Sequence, residues 1–179
     1  MCGIWGFENR SNKIDIAILK ETIRNADERG GHAFGFYGIT KAYKHILFKK
    51  EGRADVDLLT SIAKDCLVGI GQCRLATMGG RDLVDSQPLV FKDYIIVHNG
   101  NIENSNLVMS KYNYNPVTGN DTEAILPMLR NNEVNLKGAF MAIGVKYMDY
   151  RFISYNSGMP LYKKTNNGVE YYCSKKWQY

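Results

Sequence analysis

The chain has 179 residues, 45% of them hydrophobic and 23% charged, with a formal net charge of +5. That balance buries a real core and excludes a disordered chain, and its lysines stand singly or in short pairs (Lys49-Lys50, Lys163-Lys164, Lys175-Lys176), which argues against nucleic acid as a partner. The opening residues lack the basic and apolar regions of a secretory signal, and no stretch approaches the ~18 apolar residues of a membrane span, so a cytoplasmic chain without membrane contact is expected.

Gly3 to Phe7 reads as a strand closed by a polar turn. Ile16, Leu19, Ile23 and Ala26 then recur at helical spacing, with Gly30-Gly31 where the helix would stop. Two strands follow, at 34–39 and 44–49. "ADVDLLTSIAKD" is a second amphipathic helix with Asp55 as N-cap, and "CLVGIGQCRLAT" returns to strand. "YIIVHNGNI" is a strand that ends in a tight turn at its Asn-Gly, with polar residues continuing through 106. Asn120 and Glu123 form a capping-box pattern ahead of a third helix containing Ala124, Ile125, Met128 and Leu129, which Pro127 bends or shortens. "GAFMAIGVKY", "YRFISYN", "PLYKK" and "VEYYCS" are short strands separated by turn residues. About nine strands and three helices, with no linker or repeat among them, predict an α+β fold in which helices cover sheet faces.

Four cysteines (Cys2, Cys66, Cys73, Cys173) form no C-x-x-C pair, and only His32, His45 and His98 could join them, so no metal site or disulfide framework is expected. Cys2 differs from the rest because it follows the initiator. A thiol needs a base to become a nucleophile. If Met1 is removed, the freed α-amine of Cys2, with a reference pKa of about 7.7–8.0, supplies one on the same residue.

With Met1-Cys2-Gly3-Ile4 at the head, six blocks follow one another in order: "RGGHAFG" at 29–35, "GQCRLATMG" at 71–79, "QPL" at 87–89, "HNGNIEN" at 98–104 and "NDTEAI" at 120–125 complete the series. In this order the chain resembles the class II, or N-terminal-nucleophile, glutamine amidotransferases over almost its whole length. The resemblance implies a four-layer α/β/β/α sandwich of two stacked, mostly antiparallel sheets, forming one domain over residues 1–179 without a synthase domain. It implies hydrolysis of the L-glutamine side-chain amide through a Cys2 thioester, with no cofactor, and delivery of ammonia to a separate acceptor synthetase or transferase subunit.

By the same resemblance, Asn99 and the Gly100 backbone N–H stabilise the oxyanion. Arg74 binds the glutamine α-carboxylate, Ala76 and Thr77 contribute neighbouring contacts, Asp121 binds the ammonium group, and Arg29 supports the nucleophile's loop. Chemistry suits these types: guanidinium meets carboxylate as a bidentate fork, and glycine permits positive φ and close approach of a substrate. On the residues alone, His98-Asn99-Gly100 is equally a hairpin turn, Arg74 a surface charge and Asp121 a helix cap. His32 and Ala33 replace the family's Asp-Ser, and Gln72 and Met78 stand where several members carry histidine. His32 and His98 read as structural, His45 as exposed, and Cys66 and Cys73 as buried fillers, with Cys73 and Arg74 on opposite strand faces. Two further readings remain: an N-terminal-cysteine amidase for another amide, and a non-catalytic glutamine-binding module.

Overall fold

The computed structural model describes residues 1–10, 13–75, 83–131 and 135–178. In chain order these form β1 (Gly3–Asn9), α1 (Ile16–Asp27), β2 (Ala33–Thr40), β3 (His45–Glu51), α2 (Val56–Ala63) and β4 (Cys66–Arg74). There follow β5 (Leu89–Val90), β6 (Tyr94–Gly100), α3 (Ser105–Lys111), α4 (Ile125–Asn131), β7 (Phe140–Lys146), β8 (Phe152–Ser157), β9 (Tyr162–Asn166) and β10 (Val169–Cys173). The strands make a six-stranded sheet in the order β3-β2-β4-β1-β10-β9 and a four-stranded sheet in the order β5-β6-β7-β8, all ladders antiparallel.

Three apolar seams separate four layers. Helices α1 and α2 put Leu19, Ile23, Leu59 and Ala63 against Trp5, Phe7, Phe34, Phe36 and Tyr171 of the larger sheet. The two sheets meet through Ile4, Ile39, Val68 and Ile70 on one side and Ile95, Val97, Met141, Ile143 and Val145 on the other. On the far face of the smaller sheet, Ile96, Phe140 and Ala142 pack under Val108, Met109, Ile125 and Leu126. Period-2 alternation produces this directly, since β6 sends Ile95 and Val97 to one seam and Ile96 to the next. The expected α/β/β/α sandwich is therefore the observed one. Gly69 and Gly71 of β4 leave the room that Trp5, Phe7 and Phe36 occupy, and Trp5 stacks on Phe36 at 5.4 Å between ring centroids.

Asp15 caps α1 by accepting from Ala17 and Ile18, and Asp55 caps α2 by accepting from Leu58, the latter as expected. Other details differ from the sequence reading. Helix α3 has no counterpart in the sequence reading, which has polar residues through 106 and assigns no element to the residues that follow. Asn104 at its start makes no side-chain cap, because its amide donates to the Asn135 carbonyl and its oxygen accepts from Lys137 N–H. The two-residue β5 is too short to leave a periodic trace. The capping box at 120–123 is half made. Asn120 accepts from Thr122 N–H, whereas Glu123 turns to the preceding loop, so a 3-10 turn (Asp121–Ala124) precedes α4 and Pro127 falls in the first turn of that short helix.

Candidate active site

Strand alternation decides which side chains gather at one end of the inter-sheet seam. Gly3 faces α1 so closely that a Cβ there would collide with the Ala26 carbonyl. Cys2 and Ile4 therefore face the other way, and Ile4 belongs to the inter-sheet core. The Cys2 sulfur is half-buried, 3.4 Å from Leu75 N and 3.6 Å from Leu75 O. Across the ladder, Gly3 pairs with Cys73 and Ile4 with Gln72, which brings Cys2 to the end of β4 where Arg74 stands. Val68 and Ile70 face the inter-sheet seam, so Gln72 and Arg74 continue that face while Cys73 joins the helix-side core. Arg74 is 7% exposed.

From the smaller sheet, β6 adds the third member. Asn99 follows Ile95 and Val97 on the inter-sheet face, is 3% exposed, and its Nδ2 has no hydrogen-bond partner among the described residues. Buried amide donors are nearly always paired, so an uncommitted one on the inter-sheet face is notable. Gly100 has φ of +120°, and a Cβ would strike the Ala139 carbonyl, so both backbone and space require glycine.

His98 points the opposite way, toward the helices, edge-on to Phe140. Its Nδ1 lies 3.1 Å from Thr122 Oγ1, whose own proton is directed at Asn120 Oδ1 at 2.6 Å. Thr122 can then only accept from the ring, which puts the proton on Nδ1. Burial lowers the pKa of His98, opposed by the nearby Asp121 carboxylate 3.7 Å away, so the ring is neutral at pH 7. Its orientation away from the seam separates it from Cys2. Asp121 opens the 3-10 turn, accepts from Ile102 N–H at 2.8 Å through Oδ2, and keeps 23% of its side chain exposed beside the end of β6.

Arg29 acts on the strand that carries Cys2. Its Nη1 donates to Ser174 O at 2.8 Å, and Ser174 in turn accepts from Ile4 N–H and donates its own N–H to Ile4 O. Ala76 and Thr77, together with Met78, lie outside the described residues. Cys66, Cys73 and Cys173 are buried, and burial pushes their thiols up, to about 12 for Cys66 and about 11 for Cys173. Of the four cysteines, only Cys2 is not buried. His32 is exposed, with its N–H donating to Arg74 O, and His45 is exposed with its ring against the Tyr37 hydroxyl. Sequence reasoning assigned no contacts to Gln72, Gln87 and Thr122, which surround His98; tertiary packing alone brings them there, Gln72 from the other sheet, Gln87 from the approach to β5 and Thr122 from the turn before α4.

No model of a known protein family matches the chain. It is 32% identical over 148 residues to glutamine--fructose-6-phosphate aminotransferase (isomerizing) of Listeria monocytogenes, a match covering 78% of this chain and 24% of that protein. It is 28% identical over 191 residues to the enzyme of the same name from Corynebacterium glutamicum, covering 90% of this chain and 30% of the other. The chain thus spans between 20% and 30% of the length of these curated relatives. Among solved structures, the glutamine phosphoribosylpyrophosphate amidotransferase of B. subtilis, complexed with ADP and GMP, superimposes with a TM-score of 0.72 over 97% of this chain and 42% of that one. At 20% identity that likeness concerns the fold.

Proposed function

We propose that this chain, which belongs to the class II (N-terminal-nucleophile) glutamine amidotransferase family, uses Cys2 to hydrolyse the side-chain amide of L-glutamine and hands the ammonia to a separate acceptor enzyme. The observation that carries the reading is the uncommitted Asn99 amide on the same inter-sheet face as Cys2 and Arg74.

Excision of Met1, favoured by the small side chain that follows it, frees the Cys2 α-amine as general base. The sulfur attacks the glutamine side-chain carbonyl while the amine takes the thiol proton. The C=O electron pair moves to oxygen, where Asn99 Nδ2 and Gly100 N–H donate to it. Collapse of this intermediate breaks the C–N bond, and the amine's proton leaves with the departing nitrogen as ammonia. Water, deprotonated by the same amine, attacks the γ-glutamyl thioester through a second oxyanion; its collapse breaks the C–S bond, the amine returns its proton to the Cys2 sulfur, and glutamate leaves. Arg74 holds the α-carboxylate, Asp121 the α-ammonium, Ala76 and Thr77 take the substrate-binding roles that the family resemblance implies for them, and Arg29 keeps the start of β1 in place through Ser174. Thiol, amine and water suffice, so no cofactor enters.

The 179 residues act as one glutaminase domain, and the acceptor synthetase or transferase docks as a second subunit over the site. Two measurements on purified protein test this: ammonia release from glutamine, and intact mass after treatment with 6-diazo-5-oxonorleucine. The expected result is a chain lacking Met1, one adduct mapping to Cys2, and no activity in Cys2→Ala. A retained Met1, or turnover that survives Cys2→Ala, would refute it.

A further inference from the structure

The two main-chain groups of His98 raise an accounting question. Even-numbered residues of β6 direct their N–H and C=O toward β5: Ile96 pairs with Leu89, and Tyr94 O accepts from Phe91 N–H. β5 ends before it reaches His98, so a strand partner is missing at the residue immediately before Asn99. Two glutamine side chains replace it. Gln87 Oε1 accepts from His98 N–H, and its Nε2 donates to Thr122 Oγ1 at 3.0 Å. Gln72, reaching across from β4 of the other sheet, donates from Nε2 to His98 O at 2.7 Å. Both glutamines are buried, at 2% exposure for Gln72 and 5% for Gln87.

We infer that Gln72 and Gln87 are positioning residues that clamp the peptide planes on either side of His98 and thereby aim the Asn99 amide at the reacting carbonyl of the substrate. The inference rests on the reading of Asn99 as an oxyanion donor. The peptide unit whose carbonyl Gln72 holds is the same planar unit that carries Asn99 N–H, so rotation of Asn99 about its own N–Cα bond starts from a fixed plane. Gly100 on the other side has the freest backbone available, which makes the clamp on the His98 side the main restraint. Oxyanion donors act by being aimed before charge develops. Gln72 also lies on the strand that ends in Arg74, so one side chain sets the spacing between the carboxylate anchor and the oxyanion donor across two sheets.

The polarity of the two bonds gives the test. Gln87 must accept from His98 and Gln72 must donate to it, so glutamate substitution separates them. In Gln87→Glu the acceptor is kept, and exchange of the His98 amide, followed by NMR, is expected to stay within threefold of the parent. In Gln72→Glu a carboxylate faces a carbonyl, and in Gln72→Met the donor is gone at nearly constant volume. Both are expected to raise Asn99 amide exchange at least 10-fold and to lower kcat about 10- to 100-fold with KM within threefold. Gln72→His keeps a ring N–H donor and is expected to restore most of both quantities, a comparison with Gln72→Glu that stands if Gln72→Met does not fold. Unchanged Asn99 exchange in Gln72→Met, or loss of His98 protection in Gln87→Glu, overturns the clamp. Raised exchange with an unaltered kcat overturns its positioning role. A parent protein that releases no ammonia refutes the glutaminase reading instead, while the exchange measurements still decide whether the clamp exists.

Discussion

Asn99 and His98 are sequence neighbours with opposite fates, and β alternation accounts for the difference. Asn99 faces the inter-sheet seam with an unspent donor, so Asn99→Ala is expected to lower kcat by roughly 10²–10³ with little change in KM, measured as ammonia release at saturating glutamine. His98 faces the helices as a buried neutral ring. Its folded pKa lies below the ordinary value of about 6.5, so as pH falls below 6.5 the unfolded chain takes up a proton that the folded chain refuses. The contribution of His98 to stability is thus complete above about pH 6.5 and is lost as pH falls from there toward the folded value. Urea midpoints between pH 7.5 and 5.5 should decline more steeply in the parent than in His98→Gln. Residue types at Cys2, Arg74, Asn99 and Gly100 were legible from the motif series. The partners of Gln72 and Gln87 were not, because a side-chain hydrogen bond to a distant backbone group has no periodicity along the chain.

At the scale of elements, the amphipathic pieces announced themselves and the short ones did not. The periodic apolar faces of α1 and α2 and the alternation of β4, β6 and β7 are readable because each buries a long, regular stripe. Helix α3 is seven residues with Leu107 mostly exposed, so its apolar stripe is too short to register. The segment from 114 to 124 shows a different limit. Glu123 is fully buried and accepts from the Tyr114 hydroxyl, Val117 N–H, Thr118 N–H and the Thr118 hydroxyl. A carboxylate with that many donors organises the loop that leads into Asp121, a role its place in a capping-box pattern disguised. Glu123→Ala is expected to cost about 2–3 kcal/mol in chemical denaturation, the scale of a lost charged hydrogen-bonding centre, with Glu123→Gln falling between it and the parent. Glutamine affinity should weaken in the same variants, since Asp121 begins at the end of that loop.

For the whole molecule, the seam between the sheets is both the largest shared core and the floor of the site. Ile143 lies fully buried in it, opposite Ile4 and Ile70. Ile143→Ala is expected to destabilise the protein by about 2–5 kcal/mol, read from urea unfolding, and both sheets should melt in one transition because each buries its inner face only against the other. The stacking itself was not derivable from propensity. Nine or ten apolar strands are compatible with several layered folds, and only the resemblance in motif order selected this one.

The strand that follows Cys2 carries a consequence for folding. β1 is an interior strand, held between β4 and β10, and Ser174 at the end of β10 closes on Ile4. The start of β1 is thus held in place by a residue 170 positions later in the chain. Until β10 has been translated, β1 lacks one of its two flanking strands, so the sheet edge that carries Cys2 closes only when a distant part of the chain arrives.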